Sequence, residues 1–401
     1  MKKLVQINVT CNGSTGRIMN QIQQTAENEG WEAYSFFGRG KPANENCIKI
    51  DSKLEILWHV FITRFFNKHG HGSKLATKRM IRKIKKINPD IIHLHNIHGY
   101  YVNFKILFNY LKKCDKKIVW TLHDCWSFTG HCTYFTMAEC NKWKKQCDRC
   151  VQKNFYPRSL FLDSSKNEYY LKKEMFTNVH DLKIITPSNW LKELVKNSFL
   201  KDYEIDVINN GIDLNVFKQA SSEQIQKTKQ KYNLEKYNKI ILGVASTWDE
   251  RKGLNEIKEL AKKINEDMII FVVGLSEKQL KELPFNIIGI KNTEDINELV
   301  TIYSMADILF NPSKEETFSL VTIESIACGT PVIAYDNSAI KELINHENGT
   351  LLDYKKNIES NIEKTLEYLK ISKKIKYKDI NKYRIERMTK EYMDIYNKNN
   401  R

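Results

Sequence analysis

The stretch Glu316-Thr317-Phe318-Ser319-Leu320-Val321-Thr322-Ile323-Glu324 follows an apolar, strand-like run, Asp307-Ile308-Leu309-Phe310, closed by Asn311-Pro312-Ser313. From Ser319 to Cys328 the chain reads as a helix, stopped by Gly329-Thr330-Pro331, since glycine and proline terminate helices. A loop entering a helix offers free backbone N–H groups and the positive end of a dipole, so an anion is expected there. Glu316 and Glu324 stand eight residues apart, a little over two helical turns. One carboxylate can therefore lie in the loop beside the anion while the other lies two turns along the helix. Two solvated surface acids are the plain alternative, which this context disfavours.

Outward from that unit, short β-branched runs alternate with helix-like stretches, the pattern of parallel sheets with crossover helices. The first half reads as strands at Val5–Val9, Ala33–Phe37, Ile91–His95, Ile118–Leu122 and Lys183–Thr186. The second reads as strands at Lys239–Ala245, Met268–Val273, Ile287–Ile290, Ile308–Phe310 and Val332–Tyr335. The expectation is an α/β protein of two doubly wound, Rossmann-like domains, residues 1–205 and 206–378. A charged helix within residues 379–401 is expected to pack back on the first domain.

A chain of 401 residues is comfortable for two such domains. With 41% hydrophobic and 28% charged residues it is a globular rather than a disordered sequence. Leu4–Val9 is too short for the apolar core of a signal peptide, and no run is long enough to span a bilayer, so a cytoplasmic location is expected. Residues 1–200 carry 33 basic against 16 acidic side chains, and residues 201–401 carry 31 against 32. The excess positive charge lies entirely in the first half, which points to an anionic phospholipid surface. Nucleic acid is disfavoured because no RNP-type, zinc-finger or helix-turn-helix pattern is present.

Lys74–Ile87 puts Lys78, Arg79, Arg82, Lys83, Lys85 and Lys86 beside an apolar stripe, as an amphipathic helix does. It reads as a crossover helix whose basic face can lie on lipid, and Leu54–Phe66 just upstream is rich in Trp, Phe and Ile. Five of nine cysteines fall between Cys125 and Cys150. Cys147-x-x-Cys150 has metal-ligand spacing and Cys132 and Cys140 could complete a structural zinc site. Reduced thiols packing a loop are the alternative. His93 and His95 share a strand face, with strand-end polar lining preferred to metal binding. Gly13-Ser14-Thr15-Gly16 follows the first strand and opens a helix, where glycine lets backbone approach a ligand.

The Glu-x7-Glu stretch, with Pro312-Ser313 before it and Ala327-Cys328-Gly329-Thr330-Pro331-Val332 after it, resembles the donor-binding signature of retaining glycosyltransferases of family 4, which have the two-domain GT-B fold with an intervening cleft. The resemblance implies that Glu316 lies at the transferred sugar and Glu324 holds the nucleotide ribose. Phe318, Ser319 and Leu320 would then present the helix start to the donor. The family's loop glycines are replaced here, by Thr317 and Ser319. Asn210-Gly211-Ile212-Asp213 matches the family's crossing into its nucleotide domain, and Lys252-Gly253 its Lys-Gly pair on the diphosphate. Thr247 occupies the family's usual Arg position, so Arg251 is the candidate for the second cation. Gly16 matches the flexible glycine loop after strand one, and His123 the family's cleft histidine near the reacting carbon. Trp126–Cys132 and the cysteines resemble a bacterial subgroup that assembles capsule and exopolysaccharide.

The resemblance and the charge distribution together imply retaining transfer from a nucleoside-diphosphate sugar to a lipid-linked, polyprenyl-diphosphate-borne saccharide at the inner face of the membrane. His123 and Glu316 are the expected catalytic residues, and no cofactor is required because no Asp-x-Asp motif stands at a strand end. A nucleotide-sugar epimerase on the same scaffold is the nearest alternative. A zinc-stabilised nucleic-acid-binding protein is the more distant one.

Overall fold

Thirteen strands form two all-parallel sheets in the computed structural model, which describes residues 1–50 and 52–398. The first unit spans Met1–Asn209 and takes back the chain from Met388. Its strands are β1 (Lys3–Thr10), β2 (Glu32–Arg39), β3 (Cys47–Lys49), β4 (Ile91–Leu94), β5 (Lys117–Thr121), β6 (Leu182–Thr186) and β7 (Glu204–Val207). They stand in the order β3-β2-β1-β4-β5-β6-β7. The second unit, Asn210–Arg387, contains β8 (Lys239–Val244), β9 (Met268–Val273), β10 (Ile287–Ile290), β11 (Ile308–Asn311), β12 (Val332–Tyr335) and β13 (Gly349–Leu352). Their order is β10-β9-β8-β11-β12-β13. Strand order reverses between β1 and β4 and between β8 and β11, and at such reversals an open α/β sheet leaves a ligand crevice at its carboxyl edge.

The ten apolar runs are all strands, while β3, β7 and β13 carry no such signal. Each of these three is an edge strand, which needs no continuous apolar run because only one neighbour covers it. Since β7 pairs with β6 through Asp206 and Val207, the first unit runs past residue 205 to Asn209. Within residues 379–398 the chain is likewise divided rather than one helix. A 3₁₀ turn at Lys378–Tyr383 stays with the second unit, where the Tyr383 carbonyl accepts the Ile212 N–H at 2.9 Å. Gly211 lies so close to this segment that a Cβ would sit 2.6 Å from the Ile385 Cα. That explains a glycine in Asn210-Gly211-Ile212-Asp213.

The first unit carries α1 (Gly13–Asn28), α2 (Lys53–Phe66), α3 (Lys74–Ile87) and α4 (Phe104–Leu111). In α1 the buried positions Ile18, Met19, Ile22 and Ala26 form one stripe, and in α3 Ala76, Met80, Ile81 and Ile84 do the same. The C-terminal helix Ile385–Asn397 buries Met388, Tyr392, Met393 and Tyr396. Its fixing to the first sheet is polar as well as apolar. Tyr396 Oη meets His93 Nδ1 at 2.6 Å, Tyr392 Oη meets Thr121 Oγ1 at 3.0 Å, and His93 Nε2 meets Thr121 Oγ1 at 2.8 Å. Lys117 Nζ donates to the carbonyls of Ile395 and Lys398, both at 2.6 Å, where a cation complements the helix's negative end. His93 is thus a structural clasp.

Tyr396→Phe should destabilise the first unit by about 1–3 kcal/mol, because it strips a partner from a buried ring nitrogen. Tyr392→Phe should cost about 1 kcal/mol, since Thr121 keeps its bond to His93. Urea unfolding of the full chain measures both. A Tyr396→Phe midpoint equal to wild type would mean that apolar packing alone holds the helix.

Candidate active site

In the second unit the loops after β8 and β11 meet where strand order reverses. Gly253 has φ +79°, and a Cβ there would lie 2.5 Å from the Pro312 carbonyl oxygen, so only glycine lets the two loops close up. Lys314 N–H donates to the Arg251 carbonyl at 2.8 Å, and the Arg251 guanidinium donates to the Glu315 carbonyl at 2.8 Å. This lacing delivers both cations to Glu316. Lys252 Nζ bonds Glu316 Oε1, and Arg251 Nη1 lies 3.8 Å from Glu316 Oε2. Glu316 is buried, and burial alone would raise its pKa. The charges of Lys252 and Arg251, with hydrogen bonds from Lys252 and Ser313, outweigh that and hold the carboxyl below its usual range. Its backbone N–H donates to Ser338 Oγ at 3.0 Å. Thr247 is exposed and bonds only locally, to the Ser246 carbonyl, so Arg251 supplies the second cation at this carboxylate.

The helix after this loop spans Leu320–Ala327, with Ser319 and Cys328 flanking it. Ser319 makes no capping bond to it, because its hydroxyl is turned to Asn311 Nδ2 at 3.1 Å and Thr322 Oγ1 at 3.0 Å. The first turn also has no acid, so the helix start remains suited to an anion. Phe318 is buried against Tyr383, their ring centroids 6.0 Å apart. Leu320 is half-buried. Glu324 faces inward, where it accepts a hydrogen bond of 2.9 Å from the Tyr303 hydroxyl.

The first unit gathers histidines at the carboxyl ends of β4 and β5. His123 Nε2 meets His95 Nδ1 at 3.1 Å, and His95 Nε2 meets Gln6 Oε1 at 3.2 Å. Gln6 Nε2 donates to the Met19 carbonyl at 2.9 Å, which orients the amide and makes its oxygen the acceptor. His95 is therefore protonated on Nε2, and its Nδ1 accepts from His123 Nε2–H. Desolvation lowers the His123 pKa to about 4 despite the Asp124 charge. The ring is neutral at physiological pH with its lone pair on Nδ1. Gly16 is buried, and a Cβ on it would sit 2.4 Å from the Cys11 carbonyl carbon. Its bareness serves the packing of α1 against the end of β1.

Residues 18–216 match the family described as Glycosyltransferase Family 4, and residues 224–387 match Glycosyl transferases group 1. The chain belongs to the family 4 glycosyltransferases. It is 24% identical over 86% of its length, and 86% of the relative's, to an Escherichia coli (strain K12) protein assigned to colanic acid biosynthesis as glycosyl transferase WcaC. It is 28% identical over 46% of its length, and 56% of the relative's, to the processive diacylglycerol alpha-glucosyltransferase of Acholeplasma laidlawii. The solved structure of Anabaena Alr3699/HepE in complex with UDP-glucose superposes on 98% of this chain and 99% of its own, at TM-score 0.67 and 13% identity.

The glycosyltransferase also contains groups that sequence reasoning missed. His98 Nε2 pairs with Asp124 Oδ2 at 2.7 Å, and His98 Nδ1 meets the Tyr156 hydroxyl at 3.2 Å. Burial would raise the Asp124 pKa, but His98 holds it below the usual range. His98 stands three residues after the His93/His95 pair, whereas nothing local marks Tyr156. Lys172 is buried over the Trp126 ring, 3.6 Å from its centroid, and donates to the carbonyls of Trp126 and Thr129. Among the described residues no three or more His, Cys, Asp or Glu side chains are placed to hold a metal ion. Cys132 shares a hydrogen bond with Cys150, Cys147 Sγ accepts the Gly130 N–H at 3.2 Å, and Cys140 packs against the apolar cluster holding Phe135 and Trp143. Burial pushes the Cys147 thiol up to about 12.

Glu316→Gln should stay folded and lower kcat/KM for transfer by about 10²–10³-fold, the scale of losing one charged group at a reacting centre. Lys252→Ala should lose as much activity and also lower the Tm, since it uncovers a buried carboxylate. Wild-type turnover in both would sink the assignment. The His123 ring should show no protonation step between about pH 8 and pH 5 in an NMR titration, where an ordinary histidine changes charge near 6.5.

Proposed function

We propose that the enzyme transfers a sugar, with retention, from a nucleoside-diphosphate sugar to a lipid-linked surface-polysaccharide acceptor at the inner face of the cell membrane. The observation that carries the donor half is the Lys252–Glu316–Arg251 cluster beside an uncapped helix start. A diphosphate there would share the two cations and the helix N–H groups, leaving Glu316 to hold the sugar hydroxyls and Glu324 the ribose. The bond from the anomeric carbon to the diphosphate breaks as the acceptor oxygen bonds that carbon on the same face. The acceptor proton passes to the departing phosphate oxygen. Preset charges lower this barrier because they need no reorganisation when negative charge builds on the leaving group. His123 is the second residue proposed as catalytic, and as a neutral ring it would act as a hydrogen-bonding group and not as a cation.

Three observations support the acceptor half. One relative is assigned to colanic acid biosynthesis, and another acts on diacylglycerol. The outer face of α3 exposes Lys78, Arg79, Arg82, Lys83, Lys85 and Lys86. A groove of about 440 Å³ between α3 and α4 takes its charged lining from Lys78, Arg82, Lys85 and Lys113. Each cation at an anionic bilayer contributes about 1 kcal/mol. Among the described residues no helix is long and apolar enough to cross a membrane.

Screening UDP-, GDP- and ADP-sugars for a rise in Tm identifies the donor, because only a ligand that binds the folded state stabilises it. One base should stand out, and Glu324→Gln should shrink its shift. Release of free epimerised sugar without transfer to any acceptor would overturn the proposal. Neutralising Lys78, Arg79, Arg82 and Lys83 together should release the enzyme from anionic vesicles at low salt while leaving the donor-induced Tm shift unchanged. Equal retention of wild type on neutral and anionic vesicles would remove the electrostatic reading.

A further inference from the structure

Helix α2 is inside out. Its buried residues are the polar His59 and Thr63, while Leu54, Leu57, Trp58, Phe61, Phe65 and Phe66 are exposed. Leu54 is 79% exposed and Trp58 59%, so these are not grazing exposures. The inward polar groups are satisfied. His59 Nδ1 meets Ser73 Oγ at 3.0 Å, His59 Nε2 accepts the Gly70 N–H at 2.8 Å, and Thr63 Oγ1 donates to the His59 carbonyl at 2.8 Å. Rotating the helix to hide its aromatics would break the two bonds that tie His59 to Ser73 and Gly70, so the outward apolar face is built in.

The face is continuous and extends beyond the helix. Trp58 stacks on Phe61 at 5.5 Å, Phe61 meets Phe65 at 4.6 Å, and Phe65 meets Phe161 at 5.6 Å between ring centroids. Phe161 is 65% exposed and belongs to a loop hydrogen-bonded to the end of α2 through Leu160 N–H and the Arg64 carbonyl at 2.7 Å. A contiguous exposed apolar face of this kind marks an interaction surface. Charge identifies the occupant. Glu55 of α2 accepts from the Ala76 N–H at 2.9 Å and from Arg79 at 2.6 Å, which ties the aromatic helix to the basic one. Lys53 and Arg64, on α2 itself, are exposed too. A helix of 14 residues is about 21 Å long, against a hydrocarbon core of about 30 Å. It can lie in the interface and cannot cross it.

We infer that α2 and the Phe161 loop insert into the acyl region of an anionic bilayer while α3 rests on its headgroups. This deepens the lipid-linked acceptor reading and rests on it for its setting. It predicts a mode of binding that electrostatics alone would not give, since apolar insertion survives salt that screens surface charge.

The test uses the full chain with vesicles containing phosphatidylglycerol, floated at low salt and at about 1 M salt. Wild type should keep a salt-resistant bound fraction, which the combined variant Leu57→Gln, Trp58→Gln, Phe61→Gln and Phe65→Gln should reduce at least about 10-fold, a loss of 1.4 kcal/mol or more. Vesicles with brominated acyl chains should quench tryptophan emission in wild type and markedly less in Trp58→Phe. An unchanged donor-induced Tm shift in the variants shows that they are folded. Vesicle binding with no Trp58-dependent quenching would overturn insertion and leave the electrostatic reading standing. Loss of low-salt binding on neutralising α3, with quenching by brominated lipid absent in wild type, would do the same. A dimer in solution that the glutamine variant dissociates, without lipid binding, would assign the face to a second copy and overturn the inference.

Discussion

A parallel sheet that winds outward in both directions from one strand must leave an opening where the winding reverses, at the carboxyl edge. Both sheets obey this constraint, at β1/β4 and at β8/β11. The chemistry-bearing groups gather beside those two openings. Lys252 arrives from the loop after β8 and Glu316 from the loop after β11, 64 residues later. Gln6 on β1, His95 after β4 and His123 after β5 form one hydrogen-bonded line across neighbouring strands. Gly253 and Gly16 are bare for the same reason. Each stands where backbone must approach backbone more closely than a Cβ allows.

The Lys252–Glu316–Arg251 cluster is a poor device for stability. Buried ion pairs recover their desolvation cost only with good geometry, and apolar replacements are often no worse. On the proposed reading its benefit is chemical: cations already in place beside a carboxylate held ionised would present a fixed field to a donor, with little reorganisation required at the moment of reaction. The neutral His95–His123 line in the other unit is also preset, but through desolvation and a fixed tautomer.

Helix α2 inverts the usual division of labour. A surface helix normally turns apolar residues inward because burying each stabilises by about 1.5–3 kcal/mol. Here Ser73 and the Gly70 N–H hold His59 inward, and the aromatic side chains are left outside. The fold forgoes that burial to keep an apolar face available, next to a helix whose outer face is almost wholly cationic.

The sequence by itself determined the two parallel α/β units, because buried strands must be continuous apolar runs and all ten such runs are strands. It also determined the helix start after Phe318, since an apolar strand, a polar loop and an apolar helix stopped by Gly329-Thr330-Pro331 are local signals. It could not reveal β3, β7 and β13, whose single neighbours demand no apolar pattern, nor that the chain returns to the first unit only at Met388. Tertiary structure alone decided which charges meet. Arg251 and Lys252 are adjacent in sequence, and only the packing of Gly253 on Pro312 turns both toward Glu316. It likewise decided that Tyr156 joins His98 across 58 residues. Periodicity can locate an apolar stripe on α2 but not say which way it faces. That depends on buried hydrogen bonds to Gly70 and Ser73, which a helical pattern does not encode.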